Sequence, residues 1–98
     1  MSSSENYLNG TVIGTGAAID VESPGRKATK VEIVNVTRAS HGIWNNTMPS
    51  ASAMKVVTAG TQTYVTTNGI TPIDKGFTLG SDADLNTASD VIHFTVWF

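Results

Sequence analysis

"VIHFTVWF", Val91–Phe98, is the stretch on which the fold turns. In extended backbone, successive side chains point to opposite faces. Ile92, Phe94, Val96 and Phe98 then share one wholly apolar face, while Val91, His93, Thr95 and Trp97 share the other. The pattern predicts a strand whose first face lies in the core. Each side chain buried there contributes about 1.5–3 kcal/mol as an upper figure. Chain ends usually fray, so a segment this apolar is expected to be held by the core, paired near the N-terminal strand, or by a partner.

Working outward, "KVEIVNVT" (Lys30–Thr37) is the clearest companion strand. Val31 and Ile33 fall on one face and Val34 and Val36 on the other. A strand apolar on both sides sits mid-sheet or is covered twice. "YLNGTVIGTG" carries too many glycines for a helix and reads as strand from Tyr7. "AAIDVES" alternates weakly until Pro24-Gly25 breaks it. "HGIWN" and "GFTL" are short strands. "NTMPSASAMK" admits one helical turn, with Pro49 near its start. In "MKVVTAGTQTYVTTNGITPID" the turns fall at Ala59-Gly60 and at Asn68-Gly69, the latter suited to a type I′ hairpin. Pro72 argues for an edge or a bulge in the strand that follows. "GSDADLNTASD" is a loop.

The sum is an all-β fold: a single-domain β-sandwich or small β-barrel of about 7–9 short antiparallel strands. A polar arm over residues 1–9 is expected to precede one β domain over 10–98. A chain of 98 residues forms one domain and buries roughly 60–65% of the surface its unfolded form exposes.

Composition narrows the function. Charged residues are 14% of the chain, against a usual figure of about 25%. Polarity comes from Thr, Ser and Asn. Such a surface packs against protein without desolvating many charges. The net charge is −2, and the only basic cluster, "GRKATK", is too small for phosphate-backbone binding, so nucleic acid is not expected. There is no cysteine, hence no disulfide framework or thiolate chemistry. "MSSSENYLNG" does not read as a signal peptide, and no apolar run approaches the roughly 18 residues of a membrane span. Neither secretion nor a membrane partner is expected.

"IGTGAAI" supplies Gly14-x-Gly16, but Ile19 stands where a dinucleotide fingerprint needs a third small residue, and Pro24-Gly25 cuts off a following helix. It reads as a tight strand or bulge. Asp82, Asp84 and Asn86 alternate as calcium ligands do, but Thr87 and His93 hold the positions that need Gly and Glu. The expectation is a solvated loop and no cofactor. His41 and His93 are the only histidines and lack metal-ligand spacing. No set supplies a nucleophile, a base and an oxyanion hole together, so no catalytic residues are assigned and an enzyme is not expected. Trp44, beside the polar loop Asn45–Pro49, reads first as a cap on the core and second as an anchor for a partner. Trp97, on the less apolar face of the last strand, is an interface candidate if that face is open.

Taken together, "NGTVIGTGAAIDVE", "KVEIVNVT", "IWNNTMPSASAMKVV", "TYVTTNGITP" and "GFTLGSDADLNTASDVIHFTVWF" resemble small virion proteins of tailed bacteriophages and prophages. Proteins that look like this are mostly called head decoration (cement) proteins or uncharacterised structural proteins. Where members have a longer loop between the "NGITP" and "GFTLG" segments, this chain has only "IDK". The resemblance implies a β-rich module that oligomerises, as a trimer at local symmetry axes, on the exterior of the head. Its partner would be the major capsid protein. Contacts are expected from Ser2, Ser3, Ser4, Glu5, Asn6 and Tyr7 of the arm, from Trp44, Asn45, Asn46 and Met48 of the loop, and from Trp97. The alternative is a tail-fibre or receptor-binding module contacting carbohydrate. A cytoplasmic lyase or nucleotide enzyme stands third, opposed by the missing catalytic set.

Overall fold

The structure, a computed structural model, describes residues 6–98. Eight strands run through them: β1 (Tyr7–Ile13), β2 (Ile19–Val21), β3 (Lys30–Asn35), β4 (Ser40–Asn45), β5 (Ser52–Val56), β6 (Gln62–Ile73), β7 (Gly76–Leu79) and β8 (Val91–Trp97). All pair antiparallel in one sheet of order β1-β8-β3-β4-β5-β6-β7-β2. The sheet is curled into a half-barrel. Its curl is visible in one contact: Phe94 on β8 and Phe77 on β7, five strands apart in the sheet, meet edge to face with centroids 5.4 Å apart.

The last strand follows its alternation as far as Trp97; Phe98, placed on the core face from sequence, lies past its end and is half-buried. Ile92, Phe94 and Val96 are buried, whereas His93 is exposed and Val91, Thr95 and Trp97 are half-buried. β8 lies between β1 and β3, so both of its backbone edges are paired. β3 is likewise mid-sheet, between β8 and β4, with Val31, Ile33 and Asn35 buried. β1 begins at Tyr7, so Tyr7, Leu8 and Asn9 belong to the sheet and not to the arm. On the concave side Gly10 makes room for the ring of Phe94, which a Cβ there would strike.

The concavity is filled by the loop between β7 and β8. Leu85 is fully buried, and a Cβ on Gly42 of β4 would sit 3.1 Å from its methyl groups. Close backbone approach at Gly42 lets this plug seat. Polar side chains pin it. Buried Asn35 donates to the Leu85 carbonyl (3.2 Å) and to the Asp90 carboxylate (2.8 Å). Arg38 Nε donates to the same carboxylate at 2.7 Å, and the Thr87 amide at 3.3 Å. The Asn35 amide first, and then the Arg38 guanidinium, hold Asp90 below its ordinary 3.8 against the opposing pull of desolvation. A carboxyl lowered on folding supplies stability above its unfolded pKa and loses it as pH falls through the folded value. Asp90→Asn is therefore expected to be less stable than wild type at neutral pH. Its urea midpoint should fall less steeply between about pH 5 and about pH 2. Parallel acid limbs would show that Asp90 does not govern this range.

Two local expectations fail. Asn68-Gly69 is not a hairpin turn but a bulge inside β6. There the pairing with β5 jumps from Ala53↔Val65 to Ser52↔Ile70. Asn68 has φ 60°, the left-handed conformation that such a turn would also have required. Beyond Ile70 only β7 pairs with β6, so Pro72 sits where no β5 neighbour needs its missing N–H. "NTMPSASAMK" forms turns and then β5, without a helical turn. The Pro49 carbonyl that would start a helix instead accepts from the Trp44 indole at 3.0 Å and from Ser52 Oγ at 2.6 Å.

Candidate interaction face

The convex side of the sheet carries a grid of side chains fixed by strand register. One row crosses β1-β8-β3-β4 as Tyr7, Trp97, Lys30 and Asn45. The next runs Asn9, Thr95, Glu32, Ile43, Met54 and Tyr64, reaching β6. A third runs Thr11, His93, Val34, His41, Val56 and Gln62. Neighbouring rows lie about 7 Å apart, two residues along a strand. Large apolar side chains stand exposed among the polar ones on this face. Val34, Ile43, Met54 and Tyr64 keep 47%, 38%, 39% and 47% of their surface in solvent. The part over β1, β8 and β3 is mixed, its polar residues set among exposed Tyr7, Ile13 and Val34. It is ordered by Thr95 Oγ1 donating to Asn9 Oδ1 (2.6 Å) and by a 3.1 Å hydrogen bond between Thr11 Oγ1 and His93 Nδ1.

Two shallow hollows break this face. One, of about 470 Å³, lies among Asn9, Thr11, Glu32, Val34, His93 and Thr95. The other, about 250 Å³, lies among Glu32, Val34, His41 and Ile43. They share Glu32 and Val34 and so form one depression either side of β3. The one ion pair on these rows among the described residues, Lys30 to Glu32 at 3.5 Å, is half-exposed on both sides. Such pairs contribute about 0–1 kcal/mol. A partner covering this face therefore desolvates few charges and gains apolar contact.

The residues put forward from sequence divide between this face, the loop beside it, the core and the undescribed arm. Ser2, Ser3, Ser4 and Glu5 lie outside the described residues. Asn6 is exposed, and its carbonyl accepts from the Phe98 amide at 2.8 Å. Tyr7 and Trp97 are cross-strand neighbours, and the Lys30 ammonium stands 4.7 Å from the Trp97 ring centroid. Asn45 follows in the same row. Asn46 is exposed in the β4–β5 loop. Met48 is half-buried there, its Sδ accepting from the Asn45 amide. Trp44 is a correction as a contact residue: it is 1% exposed and points into the core. Its neighbours on β4, Ile43 and Asn45, take the outward positions, because adjacent strand residues face opposite ways. A cleft of about 360 Å³ beneath the loop is lined by Trp44, Asn46, Met48, Lys27, Thr29 and Pro72. Ile43, Met54 and Tyr64 were not singled out from sequence. Their signal was apolar residues at outward positions of neighbouring strands, which only the strand order makes visible.

The acidic loop and the glycine pair hold no open site. Lys55 Nζ lies 2.8 and 3.0 Å from the two Asp82 oxygens and 2.7 Å from Asp84. The chain's own ammonium stands between the two carboxylates. Asn86 turns away, its Oδ1 accepting from the Thr15 and Gly16 amides at 3.0 and 3.3 Å. Those are the N–H groups that a phosphate would have needed at Gly14-x-Gly16. No group of three or more His, Asp or Glu able to hold a metal occurs among the described residues.

Desolvation alone would lower the Lys55 pKa; the hydrogen bonds and charges of Asp82 and Asp84 outweigh it and raise it above 10.5. A raised ammonium supplies stability that is full below its unfolded pKa and is lost as pH rises through the folded value. Lys55→Met is expected to cost about 2–3 kcal/mol in urea denaturation, short of the 3–5 of a fully buried pair because Asp84 is 44% exposed. A change below about 0.5 kcal/mol, the level of an ordinary surface substitution, would contradict this.

Fold and face together define a small all-β protein, a half-barrel presenting an open convex sheet. No protein-family model, curated protein or solved structure matches the chain. No helix among the described residues is long and apolar enough to cross a membrane.

Proposed function

We propose that this chain is a non-enzymatic structural protein that lays its convex face on an assembled protein shell. The observation that carries the reading is β3. On this mid-sheet strand Val34 stays open, diagonal to Ile43 on β4, which stands in one outward row with Met54 and Tyr64, all of them left in solvent. Contiguous exposed apolar surface of this kind marks interaction sites. The sequence resemblance to tailed-phage head decoration proteins supplies the partner class: the major capsid protein, met on the outside of the head. A protein that binds the assembled shell and not its separated subunits stabilises the shell by its binding free energy. Many equivalent copies multiply a modest gain per site.

The test is location. Antibody raised to the recombinant chain and coupled to gold is applied to intact virions and imaged by negative stain. Gold spread over the head is the expected result. Gold confined to the tail tip would replace this function with receptor binding, and virions without gold would overturn both.

A further inference from the structure

The two ends of the sheet are guarded differently. β2 is three residues long, has Asp20 at its centre, and is followed by Pro24. Short, charged, proline-flanked edges resist pairing with another chain. β1 is seven residues long, "YLNGTVI", with no charge, no proline and no bulge in its register with β8. Among the described residues nothing pairs with its other side.

The hydrogen-bond phase of β1 can be read from its ends. The Asn6 carbonyl accepts from Phe98, and the Gly14 amide donates to the Asp90 carbonyl, each at 2.8 Å. Bonded and non-bonded pairs alternate along an antiparallel ladder. Leu8, Gly10 and Val12 therefore bond to β8. Tyr7, Asn9, Thr11 and Ile13 turn their N–H and C=O groups toward the open edge.

We propose that this edge pairs with β1 of a second copy, antiparallel about a two-fold axis at Gly10. In that register Tyr7 stands opposite the second copy's Ile13, Asn9 opposite its Thr11, and Leu8 opposite its Val12. The outward-turned residues fall into the hydrogen-bonded pairs, as the ladder requires. Side-chain chemistry matches at every step: apolar meets apolar on both faces, and amide meets hydroxyl between them. Two curled sheets join into one continuous sheet, and half-buried Leu8 and Val12 gain cover on the concave side. The contact is isologous, so it closes at two copies. Pairing β1 to the edge of β2 would instead be head-to-tail, and Asp20 opposes it. The inference is independent of the shell-binding function, because it concerns only a second copy of this chain.

The test is sedimentation equilibrium of the purified full-length chain. Wild type is expected to run at twice 10.3 kDa at concentrations on the order of 100 µM. Asn9→Lys with Thr11→Lys sets lysine against lysine in the bonded pairs and should give monomer. Asn9→Lys with Thr11→Glu sets lysine against glutamate and should restore the dimer. All these side chains are exposed, so circular dichroism should be unchanged. Register is checked by co-refolding one chain carrying Asn9→Cys with another carrying Thr11→Cys. Bonded pairs place Cα atoms about 5.5 Å apart, within disulfide reach, so the mixture should oxidise to a covalent dimer that neither chain forms alone. A monomeric or trimeric wild type, a double-lysine variant that still dimerises, or no mixed disulfide would each overturn the proposal.

Discussion

Trp44→Ala is expected to lower the free energy of unfolding by about 3–5 kcal/mol, the range for emptying a large aromatic site in a core. Trp44 is among the largest side chains fully enclosed here, on a strand held on both edges by β3 and β5. Alanine removes the ring and leaves the loop Asn46–Pro49 without its floor. A domain of this size has only about 5–15 kcal/mol in total. Each kcal/mol corresponds to roughly 4–8 °C in its melting temperature. Trp44→Phe separates the contributions. It keeps most of the ring and loses the indole N–H bond to Pro49, whose carbonyl still accepts from Ser52. Its expected cost is smaller, about 1–2 kcal/mol. Equal midpoints for wild type and Trp44→Ala would mean that the ring is not a core element.

Asn86→Ala is expected to cost about 3 kcal/mol, an unusual figure for a polar loop residue. The side chain is 1% exposed and every polar atom on it is engaged. Its oxygen accepts from Thr15 and Gly16, and its Nδ2 donates to Ala17 at 2.7 Å and to Gly80 at 2.9 Å. The bonds to Thr15, Gly16 and Ala17 tie the β7–β8 loop to the β1–β2 loop across some 70 positions of sequence. Alanine removes four part-buried hydrogen bonds, each worth about 0.5–1.5 kcal/mol net. Asn86→Asp keeps the acceptor but turns an oxygen toward two carbonyls, so it should not rescue. The companion readout is amide exchange. Protection of Leu85 and Asn86 should fall well before that of β3 and β8, because the plug opens locally while the sheet persists. Loss of protection in step across the whole chain would show that plug and sheet unfold as one unit.

What the sequence made legible follows the range of the interactions involved. The strands of "VIHFTVWF" and "KVEIVNVT" were readable because alternation is local; β3 is mid-sheet as expected, although its outward face carries Lys30 and Glu32 beside Val34, and Val36 lies past its end. Asn68-Gly69 misled because the same tolerance for positive φ serves a hairpin turn and a bulge. What decides between them is distant: Gly69 donates to the Ala51 carbonyl at 3.0 Å, and the Asp82 amide donates to that of Asn68 at 3.1 Å. "GSDADLN" was readable as a loop, but its role as the plug of the half-barrel was not. Leu85 and Asn86 are buried by Gly42, Thr15 and Asn35, none of them near in sequence. Of the residues put forward for contact, the structure shows only where the described ones point. Tyr7, Asn45 and Trp97 share a row, whereas Trp44 was one residue out of phase with the outward side. Ile43, Met54 and Tyr64 align only because β4, β5 and β6 are neighbours in the sheet, which period-two patterning within one strand does not reveal.

The convex apolar row is the element on which the functional reading stands. Ile43 and Met54 are directly paired across β4 and β5, and both point away from the core. Changing both to glutamate places two like charges opposite each other on that row, at some cost in stability, so circular dichroism of the variant at the assay temperature is recorded alongside. The measurement is co-sedimentation of the wild-type chain and of the Ile43→Glu, Met54→Glu double variant with purified intact heads, over a range of concentrations. Wild type should bind to saturation and the double variant at least about 100-fold more weakly, the scale of losing one central hot spot. Equal binding by the two, or no binding by either, would contradict the assignment of this face to the shell.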